Sequence, residues 1–190
     1  DRLCEIKGIT PQKATAISNE FRRLYGVREV IAWMARFGLS AQCAVSAYRA
    51  FGPHTVEALN QNPYMLCGEP LNLKFAQVDG IANTLQVEAD SRLRIAAGLL
   101  YTLRHNSGNG HTCLPCTKLV DATAQFLRQE PDLVERTLRE MLSGDELRAR
   151  TYDGTEYIYL PDLLRAEEDI AVRLGEISTF PTEAPPTLDN

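Results

Sequence analysis

The residues whose chemistry stands out lie near the N-terminus, in the stretch Glu5-Ile6-Lys7-Gly8-Ile9-Thr10-Pro11-Gln12-Lys13-Ala14. Gly8 can adopt the positive φ that a tight turn requires. Thr10 is a favourable N-cap, and Pro11 suits the first helical position, where a missing N–H costs nothing. The amides of Gln12 and Lys13 then point out of a helix N-terminus, which can bind an anion. The Thr10 hydroxyl can accept one of these amides and so compete with that anion.

The order of residue types in this stretch is that of a helix-hairpin-helix motif: an apolar residue, a turn glycine, a helix start and a small Ala. Such a motif holds a nucleic-acid backbone through main-chain amides, so the predicted anion is a phosphate. Lys7, Arg22 and Arg23 add positive charge. A second, weaker contact is predicted around Gly38, Ser40 and Gln42. The alternative interpretation is an ordinary capped helix without a ligand.

Two later segments repeat the pattern of a hairpin followed by a helix. Phe37-Gly38-Leu39-Ser40 precedes a helix over Ala41 to Phe51 and keeps one turn glycine. Leu71-Asn72-Leu73-Lys74-Phe75 precedes a helix over 76–85 and has none. Asn tolerates a positive φ but Lys does so poorly. The third hairpin is therefore predicted to be a packing element rather than a phosphate clamp.

Helical periodicity dominates residues 11–143. The first helix is predicted to end at Tyr25-Gly26, and a second one, which starts near Val30, is predicted to stop at Gly38. Further helices are predicted over 91–104, 115–127, 132–142 and 161–175. The turn Tyr152-Asp153-Gly154-Thr155 between two apolar segments predicts a β-ribbon near 147–160.

The order of these elements predicts a mainly α fold in two domains. Residues 1–88 are expected to form tandem helix-hairpin-helix units. Residues 89–175 contain three helices and then a two-stranded ribbon, which is the order of a winged-helix-like domain. Residues 176–190 hold three prolines and are predicted to be a linker or disordered tail.

The formal net charge of −5 is unevenly distributed along the chain. Residues 1–50 hold eight basic and four acidic side chains, whereas residues 111–190 hold eight basic and sixteen acidic ones. A phosphate-facing surface is therefore expected in the first third. Sixteen of the twenty basic residues are Arg, the better bidentate partner for phosphate. No apolar run reaches membrane-spanning length, so we expect no membrane partner.

The cysteines and histidines predict neither a metal site nor a catalytic centre. Five cysteines at irregular spacing favour reduced thiols and a cytoplasmic location. Cys113-Leu114-Pro115-Cys116 and His111 supply three zinc ligands, whereas a structural site needs four. The three histidines each lie near a turn, and no nucleophile–base pair is evident: His54, His105 and His111.

A series of landmarks then aligns with one family. In chain order they are residues 5–14, Tyr48-Arg49-Ala50-Phe51-Gly52, Asn62-Pro63-Tyr64, Phe75, Asp79, Ile81-Ala82, residues 94–101, Gly110-His111-Thr112, Leu114-Pro115, Tyr159-Leu160-Pro161 and Arg165-Ala166-Glu167. Together they resemble the region preceding the motor in RecD-like ATP-dependent DNA helicases of the RecD/TraA family. The resemblance covers roughly residues 1–175.

The resemblance implies a DNA-binding region ahead of a motor that moves 5′ to 3′ on single-stranded DNA, in a parent protein of DNA repair or recombination. A chain that opens on Asp1 is itself typical of a fragment. A P-loop needs Gly-Lys followed by Ser or Thr, and none of the four lysines has that setting. We therefore expect no ATP hydrolysis and no cofactor in this fragment, with ATP and Mg²⁺ belonging to the parent's motor domains.

The expected function is that of a non-catalytic DNA-binding fragment of such a helicase, which grips the DNA backbone without sequence specificity. Its expected partners are DNA, single-stranded or at a junction, and the parent's own motor domains. The alternative is a protein-interaction scaffold that docks the motor or a partner subunit without contacting DNA.

Overall fold

The computed structural model describes residues 10–179, apart from the side chains of residues 18–24. Eight α-helices and three short β-strands account for most of this part of the chain, which confirms the mainly α fold class. The elements are α1 Pro11–Arg36, α2 Ala41–Phe51, α3 Thr55–Gln61, α4 Phe75–Thr84, α5 Arg92–Gly108, β1 Cys113–Pro115, α6 Cys116–Leu127, α7 Pro131–Ser143, β2 Arg148–Tyr152, β3 Thr155–Tyr159 and α8 Pro161–Thr179.

The chain forms two compact units, which divide between Ala97 and Gly98, inside α5. In unit 1 the buried apolar side chains come from α1 to α4, the turns between them and the start of α5, and they include Val30, Trp33, Met34, Leu39, Ala44, Leu59, Leu66, Val78 and Ile95. In unit 2 they come from α5 to α8 and the sheet: Leu99, Leu119, Leu127, Val134, Leu138, Met141, Leu147 and Ile158. The predicted bounds 1–88, 89–175 and 176–190 stay predictions.

The predicted helix end at Tyr25-Gly26 is wrong, because α1 continues through it to Arg36. Gly26 serves instead as a point of close approach to α2. A Cβ atom placed on Gly26 would lie 2.7 Å from Cε2 of Tyr48, so only glycine lets the Tyr48 ring sit against α1 without displacement. The packing of α2 on α1 therefore takes precedence over the low helix propensity of glycine.

The hairpin between α1 and α2 ends one helix and starts the next within four residues. Gly38 takes a φ of +69°, and the Leu39 amide donates to the Met34 carbonyl at 3.0 Å, as in a Schellman motif. Leu39 is buried, so the turn is anchored in the core of unit 1. Ser40 then caps α2.

Unit 2 contains a three-stranded antiparallel sheet in the order β1-β3-β2. The predicted ribbon is present as β2 and β3, joined at Asp153 and Gly154 with φ values of +48° and +76°. Two successive positive φ values are those of a type I′ turn, which fits the twist of a two-residue hairpin. The third strand, β1, was not predicted. It pairs Leu114 with Ile158.

None of the helices in residues 10–179 combines the length and the apolar character that crossing a membrane requires.

Candidate nucleic-acid interface

The first predicted contact lies only partly within the described residues. Lys7 and Gly8 precede them, and the side chains of Arg22 and Arg23 fall in the excluded stretch. The remaining predicted residues are at the start of α1, where Thr10 is the N-cap. The Thr10 hydroxyl accepts the Lys13 amide at 3.3 Å, so this amide is occupied by the cap.

The start of α1 therefore has few backbone N–H groups left that could bind a phosphate. Of the first three residues of α1, Pro11 has no N–H and the Lys13 amide is bonded to Thr10. The Gln12 amide is therefore the one amide of these three residues that has no acceptor among residues 10–179. The Gln12 and Lys13 side chains are both exposed. The competition expected from Thr10 thus takes place.

The second predicted contact, at the start of α2, shows the same kind of capping. The Gly38 amide donates to the Ala35 carbonyl at 3.1 Å, so it closes α1 rather than facing solvent. The Ser40 hydroxyl accepts the Cys43 amide at 3.2 Å. Gln42 is exposed, and within the described chain its amide has no acceptor. The donors left at this turn belong to the first turn of α2.

A basic residue beside this hairpin escaped the sequence analysis. Arg36 is exposed in the last turn of α1, and its guanidinium lies over the Phe37 ring at 5.6 Å from the centroid. A cation held on a ring in this way loses less conformational freedom when it meets a phosphate. The signal was available in the sequence, as a basic residue directly before Phe37-Gly38.

The third hairpin differs from the other two in the capping of the helix that follows it, which decides how an anion could bind there. Asn72 takes the positive φ, +48°, which Asn tolerates, while Lys74 is extended with φ −63° and is the N-cap of α4. No side chain caps α4, but its third amide, that of Gln77, donates to the Lys74 carbonyl at 3.0 Å. Lys74 is exposed and places a cation at this uncapped helix start. The hairpin also packs, since Phe75 is buried and stacks with Tyr64 at 5.8 Å.

The three helix starts share one electrostatic property. The first turns of α1, α2 and α4, all within the described residues, contain no acidic side chain, and neither do those of α5 and α6, whereas those of α3, α7 and α8 contain Glu57, Asp132 and Asp162. An acidic residue there would satisfy the helix dipole and repel a phosphate. The hairpin-led helices therefore leave the positive end of the dipole available.

A half-buried ion pair fixes the third hairpin and α4 to the start of α5. Asp79 accepts two bonds from the Arg94 guanidinium, at 2.8 and 3.0 Å, and one from the Tyr64 hydroxyl at 2.6 Å. Arg94 also donates to the Ala89 carbonyl at 3.1 Å. Burial alone would raise the pKa of Asp79, but the bonds from Arg94 and Tyr64 outweigh it and lower the pKa below its usual value. Burial, and then the bond to Asp79, raise the pKa of Tyr64.

A cavity of about 540 Å³ in unit 2 is a poor site for an anion. Its lining includes Asp121, Glu135 and Glu156, and its cation, Arg139, already bonds Glu156 at 2.8 Å and Glu135 at 3.3 Å. Burial, and then the interaction with Glu156, raise the pKa of the Cys116 thiol in this lining. A thiol with a raised pKa is a weak nucleophile.

The cysteines and His111 do not converge on one point in the described structure. Cys113 lies in β1, and Cys116 begins α6, where its sulfur is 3.7 Å from the Arg139 guanidinium. No group of three or more potential ligands in residues 10–179 has the arrangement of a metal site. Of the predicted residues, Thr10, Gln12 and Lys13 lie together at one helix start, and Gly38, Ser40 and Gln42 at another.

Unit 1 consists of helices joined by short hairpins, as in a helix-hairpin-helix domain. Residues 23–113 match the family model described as the ATP-dependent RecD2 DNA helicase HHH domain. This match confirms the resemblance to the N-terminal region of a RecD-like helicase. The matched residues include the starts of α2 and α4, while the start of α1 precedes them.

Proposed function

We propose that this chain is a non-catalytic DNA-binding region of a RecD-like 5′–3′ ATP-dependent DNA helicase, which grips the DNA backbone without sequence specificity. The observation that carries the proposal is the start of α4. It lies within the family match, has no side-chain cap and carries Lys74 as its N-cap residue. Peptide amides and a lysine at a helix start are the donors that hold a phosphate.

The starts of α2 and α1 are proposed as weaker contacts of the same kind. At α2 the cap occupies one amide, and Arg36 supplies the charge. At α1 only the Gln12 amide and the exposed Lys13 side chain contribute from the described residues. Backbone contacts carry no base information, so binding should be independent of sequence and should weaken with salt.

The role proposed for unit 2 is different. Its order α5, β1, α6, α7, β2, β3 is that of a winged-helix domain, in which α7 would be the recognition helix. However, α7 carries three acidic and two basic side chains, and Arg139 is already paired with Glu135 and Glu156. This surface favours contact with protein, such as the parent's motor domains, over reading of the major groove.

The parent's cofactors and setting are proposed on the same basis. ATP and Mg²⁺ would belong to the motor domains, since this chain has no P-loop lysine. The DNA would be single-stranded or at a junction, in repair or recombination. Cys43, Cys113 and Cys116 are free thiols in the described part of the chain, which is consistent with the cytoplasm.

A second candidate function is a scaffold that docks the motor or a partner subunit without contacting DNA. One observation favours it: α8 exposes Ile170, Val172, Leu174 and Ile177, each more than half accessible. Apolar side chains grouped on one helix are typical of a protein contact. The two candidates differ in whether the chain binds an oligonucleotide at all.

The experiment that tests the proposal is a fluorescence anisotropy titration of a labelled mixed-sequence oligonucleotide at low salt. The native chain should bind. The Lys74→Glu variant should bind about ten-fold more weakly, because a charge-assisted contact becomes a repulsion. The matched control is Arg28→Glu, the same charge reversal on an exposed mid-helix residue of α1, which should have a much smaller effect.

Two outcomes would count against the proposal. If the native chain leaves the anisotropy unchanged at low salt, the scaffold is the better account. If it binds but Lys74→Glu and Arg28→Glu weaken binding equally, the start of α4 is not the contact. The same charge reversal at the start of α1, Lys13→Glu, then distinguishes a contact at the first predicted hairpin from a general effect of charge on binding.

A further inference from the structure

Three exposed rings form a parallel stack on the surface of unit 2. The Tyr101 ring lies 4.9 Å from that of Phe126 with an interplanar angle of 16°, and 6.0 Å from that of His105 with an angle of 15°. Tyr101 and Phe126 are 39% and 44% exposed, and His105 is exposed as well. We call Tyr101, His105 and Phe126 the ring stack.

The ring stack is mounted on two helices that are packed tightly beneath it. Tyr101 and His105 are one turn apart on α5, and Phe126 lies on α6. Under them, the Thr123 hydroxyl donates to that of Thr102 at 3.1 Å, and the close contact of Gly98 with Leu127 leaves no room for a Cβ atom. A ring on such a support is already oriented, so a ligand that stacks on it pays little ordering entropy.

Two of the three rings, Tyr101 and His105, lie in a segment of the sequence without acidic residues, whereas Phe126 shares α6 with Asp121. Residues 91–120 contain four basic side chains and no Asp or Glu, whereas residues 111–190 hold sixteen acidic ones. Arg104 and Lys118 belong to this acid-free segment, and Arg128 directly follows α6 with a left-handed φ of +55°. Flat rings that lie largely in a segment of net positive charge match a ligand that has aromatic faces and negative charge.

The composition of the patch also separates it from a protein-docking face. The ring stack is entirely aromatic, and its rings lie parallel within about 16°. The aliphatic exposed side chains of unit 2, including Ile170 and Leu174, lie on α8 instead, among five acidic residues. Nucleobases stack on parallel exposed rings whatever their sequence, and single strands offer unpaired bases for this.

We propose that the ring stack is a base-stacking site for single-stranded DNA, in which an unpaired base extends the stack on Phe126 or His105. The inference rests on the proposed function for the ligand class, and it adds a contact to bases where that function has only contacts to phosphates. It also gives a physical reason for a preference for single strands, because bases in a duplex are stacked on each other.

The test compares two oligomers with the same number of phosphates, oligo-dT and an oligomer of abasic sites, by competition for the native 190-residue chain. The native chain should bind oligo-dT about ten-fold or more tightly than the abasic oligomer. Phe126→Ala should remove this preference and leave abasic binding unchanged. Ile170→Ala, a truncation of another exposed side chain in unit 2, should leave the preference intact.

A second variant guards against a folding defect and reports contact directly. Phe126→Trp keeps a ring at this position, so it should retain the preference, and oligo-dT should quench its emission while the abasic oligomer does not. The native Trp33 is buried in unit 1 and supplies a constant background. Circular dichroism of all variants checks that the fold is kept.

The outcomes separate this inference from the proposed function. Equal binding of both oligomers by the native chain, with Lys74→Glu still weakening both, would overturn the ring stack and leave the backbone contacts standing. Absence of abasic binding with a retained, Phe126-dependent dT signal would do the reverse. Loss of the preference in Ile170→Ala as well as in Phe126→Ala would also overturn the ring stack.

Discussion

At the scale of single residues, Asp79 is a side chain of unit 1 that is held in place by two others, Arg94 and Tyr64. It is the acceptor for both Arg94 and Tyr64, and the ion pair is more than four-fifths shielded from solvent on each side. A shielded pair of this kind adds little net stability by itself, but the loss of one partner leaves the other charge without compensation. Its role is therefore to fix the geometry between α4 and α5.

The first prediction is that Asp79→Asn lowers the free energy of unfolding by about 2 kcal/mol, because the bonds that Arg94 and Tyr64 donate then lose their carboxylate acceptor. Urea denaturation followed by circular dichroism measures this. The control is Asp90→Asn in the turn before α5, which is exposed and should change stability by less than about 0.5 kcal/mol. Equal effects of the two variants would contradict the role given to Asp79.

The second prediction concerns acid. Because the pKa of Asp79 is lowered in the folded chain, the unfolded chain binds more protons between the two pKa values. The stability from this carboxylate is present above the unfolded pKa and is lost as pH falls through the folded pKa. The difference in unfolding free energy between the native chain and Asp79→Asn should therefore shrink from about pH 5 to about pH 2. A constant difference over this range would show that Asp79 is not the titrating group.

The residues of the candidate interface could be predicted only in part. Thr10 and Ser40 are N-caps as expected, since Ser and Thr before a periodic segment are strong local signals. Whether an amide remains available depends on the rotamer of the cap and on the turn bonds, and neither can be derived from residue type. For this reason the helix start at Lys74, in a hairpin expected only to pack, is the one of the three without a side-chain cap.

At the scale of elements, glycines inside helices decide which helices can approach. Gly26 and Gly98 both lie within long helices, and each faces a side chain that would collide with a Cβ atom. The sequence analysis predicts a helix end at Gly26 and therefore divides α1 into two helices, whereas the helix predicted over 91–104 continues through Gly98. The opposing side chains, Tyr48 and Leu127, are remote in sequence, so the close contact could not be foreseen.

The third prediction is that Gly98→Ala destabilises the chain by about 1–3 kcal/mol, although alanine favours a helix. The new Cβ would lie 2.6 Å from Cδ1 of Leu127, which is itself buried. In the control, Gly175→Ala, the Cβ meets nothing within 4 Å on exposed α8. That variant should be neutral or more stable by up to about 1 kcal/mol. Thermal unfolding of the two variants and the native chain shows whether each substitution lowers or raises the stability.

The strands illustrate what the sequence contains and what it lacks. β2 and β3 were predicted because Asp153-Gly154 between apolar segments is a strong local signal for a hairpin. β1 has three residues and includes Pro115, so it has neither length nor alternation to identify it. It exists because β3 offers it an edge, and pairing with a distant strand is not a local property.

At the scale of the whole molecule, charge is divided between the two parts of the chain. By count, residues 1–97 carry eleven basic and nine acidic side chains, whereas residues 98–190 carry nine basic and sixteen acidic ones. The acidic part opposes binding of DNA anywhere near it, apart from the acid-free segment 91–120. This distribution predicts that the intact chain makes few phosphate contacts and that its affinity depends on salt only modestly.

The last prediction concerns how steeply the affinity for DNA falls with salt concentration. Each phosphate that a cation neutralises on a single strand adds about −0.7 to the slope of log K against log salt. Lys13 and Lys74 are exposed cations at the starts of α1 and α4, and Arg36 is an exposed cation in the last turn of α1, just before the hairpin to α2, so the slope for oligonucleotide binding should lie between about −1 and −3. Anisotropy titrations at several salt concentrations measure it, and Lys74→Glu should make the slope shallower by about 0.7. A native slope steeper than about −5 would require more cations than these helix starts provide, and a slope of zero would remove the phosphate contacts altogether.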